Sequence, residues 1–443
     1  MSLAERKWLR LATLVVLYVA QGIPWGFMAT TIPGYLASRG LDPGAVGVAL
    51  ATTTLPYTFK WVWGPVIDSI AIPRFGRRRP WIVFAQLMMA LTVAAMLAIG
   101  DLSTDLKMLA WMILIHTVFN ALQDVSVDAL AVDLLDDDER GRANGLMYGA
   151  KYGGGAIGGI GLATVIAYTS FETALVLQAA ILLLIMLVPL LVRETDTPPP
   201  PRMPLRTIAR AFADVFASRS AAMTILVMLS CLFAQGIITV ASSVLYTQTL
   251  GWSSQKYTSL VGGWGLLAGG LSAAAGGFVA DFVGPRRLAI LAALVMGAGW
   301  LVFSLNEGRW TDDSFIYTMS MWETAAQAML SVSLFAVCMQ VSFPAIGASQ
   351  FAAYMALSNF GNTLGYRAAG KLGSLSAVET WQLAAAFQIV VVPLLLLAVD
   401  PAQTRSELPR PEGAPPPVRG WIVLGVLAAF LVGMTAYIVK PML

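Results

Sequence analysis

The sequence predicts an all-α protein that crosses a lipid bilayer many times, and three observations support this. Of its 443 residues, 57% are hydrophobic and only 12% are charged. Soluble domains carry about twice that charged fraction. Apolar stretches of ~20 residues, the length that spans a bilayer, recur along the chain. One long polar interval, residues 196–220, divides these stretches into two similar sets.

The apolar stretches give about thirteen predicted spans in four segments. Residues 1–195 form a first bundle of six spans, and residues 221–400 form a second bundle of six. Residues 196–220 form a cytoplasmic central loop, and residues 401–443 hold a Pro-rich linker and one extra span. The first apolar stretch is too long for the h-region of a signal peptide, so we expect it to be retained as a helix.

Most of the basic residues fall on one side of the predicted bundle. The positive-inside rule places that side in the cytoplasm, together with the N-terminus. The scattered basic residues on the other side are single ones such as Lys107. The basic residues that fix this orientation are Arg6, Lys7, Arg10, Arg74, Arg77, Arg78, Arg79, Arg140, Arg142, Arg202, Arg206, Arg210, Arg219, Arg286 and Arg287.

A short motif occurs once in each half of the chain. "GPVID" ends the second span and "GFVAD" ends the eighth, and the basic clusters "FGRRR" and "VGPRR" follow them. Further along, "YGAKYGGGAIGG" can be aligned with "YMALSNFGNTLG". Parallel six-helix repeats of this kind are typical of secondary transporters. The motif residues that we expect to latch helices in one conformational state are Gly64, Asp68, Arg77, Arg78, Gly277, Asp281, Arg286 and Arg287.

The repeated Gly-x-x-x-Asp motif with its Arg-Arg cluster resembles the loop motif of the major facilitator superfamily. "KWVWGPVIDSIAIPRFGRRRPWI" and "QDVSVDALAVDLLDDDERGRANG" look like segments of the AmpG muropeptide permeases and their acetyl-CoA transporter relatives. The resemblance implies a major facilitator fold. The apolar stretches add one extra C-terminal helix, where AmpG-type permeases are expected to have a pair. It also implies proton-driven import of a muropeptide or a similar anionic sugar-peptide across the bacterial inner membrane. The alternative cargo is acetyl-CoA or another nucleotide-bearing anion.

The fourth predicted span carries an unusual row of polar residues. His116, Asn120, Asp124 and Asp128 recur every four residues, with Gln123 beside them. Residues at this spacing lie near one face of a helix. An ionised Asp at the bilayer centre costs about 3 kcal/mol, so such groups face a water-filled cavity or a partner. We therefore expect this face to bind substrate, a proton or both. The alternative is that Asp128 pairs with arginines near the cytoplasmic end.

Two lysines are predicted at a similar depth in the membrane. Lys60 lies in the second span, and Lys151 lies in the fifth beside Tyr152. A buried Lys needs a carboxylate or a substrate anion to remain charged. Two such cations indicate an anionic substrate. The alternative for Lys60 is that its long side chain reaches the inner interface of the bilayer.

The second half holds a further set of polar residues within its spans. Glu323 is the one acid of the tenth span, and we expect it to act as an outer gate or a proton site, or to pair with Arg367. Gln21 and Gln235 share the sequence Ala-Gln-Gly-Ile in the first and seventh spans. The complete set of cavity candidates in this half is Gln235, Glu323, Gln327 and Asn359.

Composition also excludes some functions. The net charge of +3 is small and dispersed, so we expect no nucleic-acid partner. No His or Cys accompanies the acidic run Asp136–Glu139, so we expect no metal and no cofactor. A membrane-embedded transferase is the alternative class, but the sequence has no phosphate-binding Gly-Lys loop. We predict a monomeric transporter rather than an enzyme, with a small solute, protons and the bilayer as its partners.

Overall fold

The computed structural model describes residues 3–32, 56–57, 59–69, 75–98, 106–136, 138–194, 205–253, 256–257, 259–343, 346–372, 375–400 and 418–439. The regular secondary structure in these ranges is helical. In the first half the helices are α1 (Lys7–Gly26), α2 (Trp63–Ser69), α3 (Arg79–Ala95), α4 (Leu106–Leu134), α5 (Arg140–Ala156), α6 (Leu162–Tyr168) and α7 (Phe171–Leu191).

The central stretch 196–220 contains a short helix, and the second half follows it. These helices are α8 (Leu205–Phe216), α9 (Arg219–Ser230), α10 (Phe233–Val244), α11 (Leu266–Val283), α12 (Pro285–Leu305), α13 (Asp313–Val341), α14 (Gly347–Lys371), α15 (Ala377–Leu397) and α16 (Val418–Val439). Four π-helical segments interrupt or extend them: Phe27–Thr31, Ile157–Gly161, Leu245–Thr249 and Ser259–Gly265.

Nine helices in the described ranges are long and apolar enough to cross a bilayer. They correspond to nine of the predicted spans. Of the other four, the second lies mostly outside the described residues. The fifth is broken into α5 and α6 by the π segment Ile157–Gly161, and the eleventh, α14, is rich in glycine and polar residues. The described apolar part of α16, Val418–Ala429, is shorter than a full span.

The two halves repeat the same helix packing. In the first half α1 packs against α5, and in the second half α10 packs against α14. Likewise α3 contacts α4 and α7, as α12 contacts α13 and α15. The halves meet along α5 and α11, and along α2 and α14. The six-plus-six repeat predicted from the sequence is therefore confirmed.

Glycine permits the closest helix pairs in each half. A Cβ atom at Gly26 or Gly158 would overlap a carbonyl oxygen of the facing helix, Gly155 or Ile23 respectively. Gly361 has the same relation to Leu229 in the second half. The backbones of α1 and α5 thus touch directly, as small residues allow in membrane helix pairs.

The bundle has two ends, which the starts and ends of its helices define. We call the end at which α1 begins and α4 ends the basic end, because the arginine clusters lie there. The central helix α8 lies at this end and buries Val215 and Phe216. The ring of Phe216 is 6.2 Å from that of Tyr354 in α14. Helix α16 packs on the outer side of α8, where Gly420 lies against the backbone of Ala213.

Candidate functional site

A buried carboxylate in α4 is shared by two lysines. The Asp124 carboxylate lies 2.8 Å from Lys60 Nζ and 3.1 Å from Lys151 Nζ. Lys60 comes from the 3-10 turn Lys60–Val62 that precedes α2, and Lys151 comes from α5. Asp124 and Lys60 are each 3% exposed. Three segments of the first half therefore bring together the charges that the sequence predicted in the membrane.

Two tyrosines complete this charged site. The Tyr18 hydroxyl of α1 donates a hydrogen bond to the Asp128 carboxylate, one helical turn from Asp124. Lys151 Nζ lies 5.8 Å from the ring centroids of Tyr18 and Tyr148. This distance is within the range of a cation–π contact. The Tyr148 ring lies between the site and Phe335 of the second half, and the Tyr18 ring lies 5.9 Å from that of Tyr148.

The charged site lies deep in the bundle and at the boundary between its halves. Asp124 is ten residues before the end of α4 at Leu134, which corresponds to ~15 Å along the helix. The Tyr148 ring is 4.5 Å from the ring of Phe335, which belongs to α13 in the other half. Secondary transporters place their substrate sites near the bilayer midplane between repeats. The charged site lies at the boundary between the two repeats.

The histidine and the acids of the polar row in α4 have different neighbours, and the cavity-lining role of this row stays a prediction. His116 pairs with Thr92 of α3 through Nδ1 at 2.9 Å, and its Nε2 has no hydrogen-bond partner among the described residues. Each four-residue step rotates the side chain by ~40°, so the row turns by ~120° from His116 to Asp128. Asp124 and Asp128 thus face α1, α2 and α5, while His116 faces α3.

The remaining polar residues of the first half have separate places. Gln123 donates to the carbonyl of Leu17 at 3.3 Å, which ties α4 to α1. Asn120 and Gln21 are buried, and Gln21 has no hydrogen-bond partner in the part of the chain that the structure describes. Tyr152 packs against Gly269 of α11, at the boundary between the halves rather than in the charged site.

In the second half, two of the predicted cavity residues are connected by a hydrogen bond. Gln235 Nε2 of α10 donates to the Glu323 carboxylate of α13 at 2.9 Å. Gln327 and Asn359 are partly buried. The alternative partner of Glu323, the side chain of Arg367, lies outside the described part of the structure.

The loop motif of the first half is organised by an acid that the sequence reading missed. The Glu194 carboxylate, after the end of α7, accepts hydrogen bonds from the backbone N–H groups of Arg77 at 2.8 Å, Arg78 at 2.7 Å and Arg79. A carboxylate at a helix N-terminus is favourable because the exposed N–H groups there are otherwise unsatisfied. Arg78 also pairs with Asp133 of α4 at 2.7 Å. The side chain of Asp68 lies outside the described part of the structure.

The loop motif of the second half joins the two halves at the basic end. Asp281 of α11 accepts from the backbone N–H and from Nε of Arg142 in α5, each at 3.2 Å. Gly64 of α2 approaches Ser349 of α14 so closely that a Cβ would overlap its Cα. Arg286 donates to the carbonyl of Val399 within its own half at 2.5 Å. The remaining motif residues are Gly277, which packs on α5 at Gly145, and Arg287, which is exposed.

The sequence profile of the Major Facilitator Superfamily matches residues 14–342. The chain belongs to the major facilitator superfamily. It is a multi-pass membrane transporter and not an enzyme. The family predicted from the repeated loop motif is confirmed.

This major facilitator protein is similar to a curated bacterial permease. The anhydromuropeptide permease of Escherichia coli (strain K12) is 25% identical over 360 residues, which cover 80% of this chain and 72% of the permease. The AmpG-like resemblance seen in the sequence motifs is thereby confirmed.

Solved structures of other transporters share the fold. The human organic anion transporter MFSD10 has a TM-score of 0.67 and 15% identity, and the match covers 87% of this chain and 98% of that one. The proton:xylose symporter XylE has a TM-score of 0.68 and 14% identity, covering 88% and 96% respectively. At these identities the likeness concerns the fold alone.

A second ion-pair cluster lies at the basic end of this major facilitator protein, around Glu139, which stands between α4 and α5 and outside the membrane-spanning segments. The buried carboxylate of Glu139, before α5, accepts from Arg10 and lies 3.0 Å from Lys7 Nζ. Burial raises the pKa of Glu139, but the hydrogen bonds and charges of Lys7 and Arg10 outweigh it and lower the pKa below the usual value for Glu. The cluster ties the start of α1 to the start of α5.

Glu139 should make the stability of the protein fall as the pH is lowered into the acidic range. A folded-state pKa below the unfolded one stabilises the fold fully above the unfolded pKa, and that contribution disappears as pH falls through the lowered value. Thermal unfolding in detergent should show Glu139→Gln less stable than the parent at neutral pH, with a difference that shrinks in acid. Glu5→Gln, at an exposed acid of the same end, is the control. A difference between parent and Glu139→Gln that stays constant with pH would contradict this assignment.

Proposed function

We propose that this transporter imports an anionic sugar-peptide of the muropeptide type into the bacterial cytoplasm, driven by protons. The observation that supports it is the pair of lysines, buried Lys60 and partly buried Lys151, sharing the single carboxylate of Asp124 at the boundary of the two halves. Each ammonium has three donors, so the pair has capacity for further acceptors. A carboxylated solute supplies such acceptors.

The geometry suggests how anion binding and proton binding are linked. A cargo carboxylate that enters between Lys60 and Lys151 competes with Asp124 for the same two ammonium groups. Once displaced, Asp124 lies in the membrane without a counter-charge, and an ionised carboxylate is costly there. Taking up a proton removes that cost. Asp124 therefore alternates between an ion-paired form without cargo and a protonated form with cargo, and Asp128 with its Tyr18 partner is the second acid of the site.

The similarity to the anhydromuropeptide permease favours a sugar-peptide over other anions. The alternative cargo is a nucleotide-bearing anion such as acetyl-CoA, whose phosphates would also suit two lysines. Location in the inner membrane with a cytoplasmic N-terminus rests on the positive-inside distribution of the arginines. We further propose that the transporter acts as a monomer.

Uptake into right-side-out vesicles tests the cargo. We expect labelled anhydromuropeptide to accumulate when the outside is made acidic, and unlabelled anhydromuropeptide in excess to compete with it. Acetyl-CoA should neither accumulate nor compete. Accumulation of acetyl-CoA in place of the muropeptide would favour the alternative cargo, and accumulation of neither would refute the proposed function.

The contact between Asp281 and Arg142 should set the balance between the two conformations. The contact between Asp281 and Arg142 joins the halves at the basic end and not at the charged site. We therefore expect Asp281→Ala to slow uptake with little effect on cargo affinity. A partly exposed ion pair is worth up to ~1 kcal/mol, so the expected change is about fivefold. Initial uptake rates and equilibrium binding of anhydromuropeptide measure the two effects. Arg219→Ala, at an exposed arginine outside the loop motif, serves as the control, and equal uptake by Asp281→Ala and this control would remove this role.

A further inference from the structure

A carboxyl group in the second half stands apart from the charged site. Glu323 of α13 is partly buried and accepts a hydrogen bond from Gln235 of α10. Within the described ranges it makes no ion pair with a basic residue. A small cavity adjoins it, with a volume of ≈ 10 Å³, about the space of one water molecule. Its walls include Tyr246 and Trp300.

A larger pocket opens beyond this cavity, at the end of the bundle opposite the basic end. Its volume is ≈ 340 Å³, and Trp252, Trp310, Lys256 and Asp313 line it. Lys256 Nζ pairs with the Asp313 carboxylate at 2.5 Å and lies 4.0 Å from the ring centroid of Trp252. We call this space the outer pocket.

Two stacked aromatic pairs separate the outer pocket from the cavity beside Glu323. Tyr246 stacks on Trp252 at 5.2 Å, with 26° between the ring planes. Phe303 stacks on Trp310 at 5.0 Å and 18°. Tyr246 and Phe303 line the inner cavity, while Trp252 and Trp310 line the outer pocket. Each stacked pair therefore joins one ring that lines the cavity to one ring that lines the outer pocket, and we call the two pairs the aromatic partition.

We propose that Glu323 is a second proton-binding site, reached from the outer pocket through this aromatic partition. The groups that face it are Gln235 from α10, Tyr246 from the segment after α10, and Trp300 from α12. Of these only Tyr246 can titrate. No cation pairs with Glu323 among the side chains that the structure describes, and an unpaired carboxylate is costly inside a bilayer, so the site favours a bound proton. A water in the adjoining cavity can pass that proton on when the stacked rings separate.

The two sites are far apart, but α13 contacts both of them. Phe335, which contacts the charged site through Tyr148, lies twelve residues after Glu323 on α13, which is ~18 Å along the helix. Proton entry in the second half and anion binding in the first half are thus spatially separate. The inference rests on the proposed proton coupling, to which it adds an entry site and a side of entry.

A carbodiimide probe tests the site without any cargo. Dicyclohexylcarbodiimide adds to a protonated carboxyl in apolar surroundings, and mass spectrometry of the peptides locates the adduct. In sealed vesicles of known orientation, labelling of Glu323 should rise as pH falls on the side of the outer pocket. It should not respond to the pH on the side of the basic end. A response to the basic side alone, or to neither side, would overturn the proposal.

Variants of the partition test the route. Trp252→Ala should make Glu323 labelling respond faster to external acid, whereas Trp252→Phe, which keeps a ring, should respond like the parent. Trp111→Ala, at an exposed tryptophan of α4, is the control for loss of an indole. Equal response rates in Trp252→Ala and the parent would refute the route.

Glu323→Gln separates this inference from the proposed cargo. The variant should lose proton-driven accumulation of anhydromuropeptide while retaining exchange of labelled for unlabelled cargo. Accumulation at the parental level would refute the role of Glu323 even if the parent imports the muropeptide. Conversely, outer-side labelling of Glu323 in a parent that imports no muropeptide would support the proton site and refute the cargo.

Discussion

Asp124→Asn is expected to abolish proton-driven accumulation of anhydromuropeptide. The substitution keeps the shape of the side chain but removes the charge that Lys60 and Lys151 share. Removing one partner of a buried ion pair costs ~3–5 kcal/mol, because the other charge is left without compensation. We therefore expect a lower unfolding temperature in detergent as well as the loss of transport.

The control for this effect is Asp136→Asn, at an exposed acid just after α4. It should leave both accumulation and unfolding temperature close to those of the parent. The decisive comparison is uptake with and without an imposed pH gradient, together with exchange of labelled for unlabelled cargo. If Asp124→Asn accumulates cargo as well as the parent, Asp124 carries no coupling proton, and the acid of the first-half site that then requires testing is Asp128.

Gly158→Ala should have the next largest effect, on stability rather than on chemistry. Its new methyl group would overlap the carbonyl oxygen of Ile23 in α1, so the backbones of α1 and the segment Ile157–Gly161 must separate. Forcing extra atoms into a packed contact costs ~1–3 kcal/mol. The expected result is a lower unfolding temperature of the purified protein.

A matched glycine in the same stretch provides the control. A Cβ at Gly153 meets no atom within 4 Å, so Gly153→Ala adds a methyl group without overlap. Replacing a helical Gly by Ala is favourable by ~1 kcal/mol, so this variant should be as stable as the parent or more so. Equal destabilisation by both substitutions would show that the α1–α5 contact does not depend on Gly158.

The fold was predictable because every helix that spans the bilayer needs an apolar stretch of sufficient length. Apolar stretches of sufficient length reveal α3, α7, α12 and α15 directly. Helix α8 was missed because it is short and amphipathic and lies within a polar stretch. Its apolar residues are recognisable as buried only once the neighbouring helices, including α14 with Tyr354, are in place.

The candidate site was predictable residue by residue but not as an arrangement. Charged residues in apolar spans are conspicuous, so Lys60, Asp124 and Lys151 could be identified from the sequence. Their pairing depends on the rotation and depth of three separate segments, which composition does not specify. Tyr18 was missed because a tyrosine in an apolar span is unremarkable. Glu194 was missed because a charge at the end of a span normally indicates only contact with water.

The contact between α8 and α16 has a consequence for how the chain is assembled. Helix α8 is synthesised between the two bundles, whereas α16, with Gly420 against Ala213, emerges from the ribosome after both of them. Because domains generally fold as they are synthesised, from the N-terminus onward, both bundles are in the bilayer before α16 exists. The connection between them thus acquires this neighbour only after both bundles have been made. A nascent chain arrested within residues 401–417 would carry both bundles with α8 still uncovered on that side.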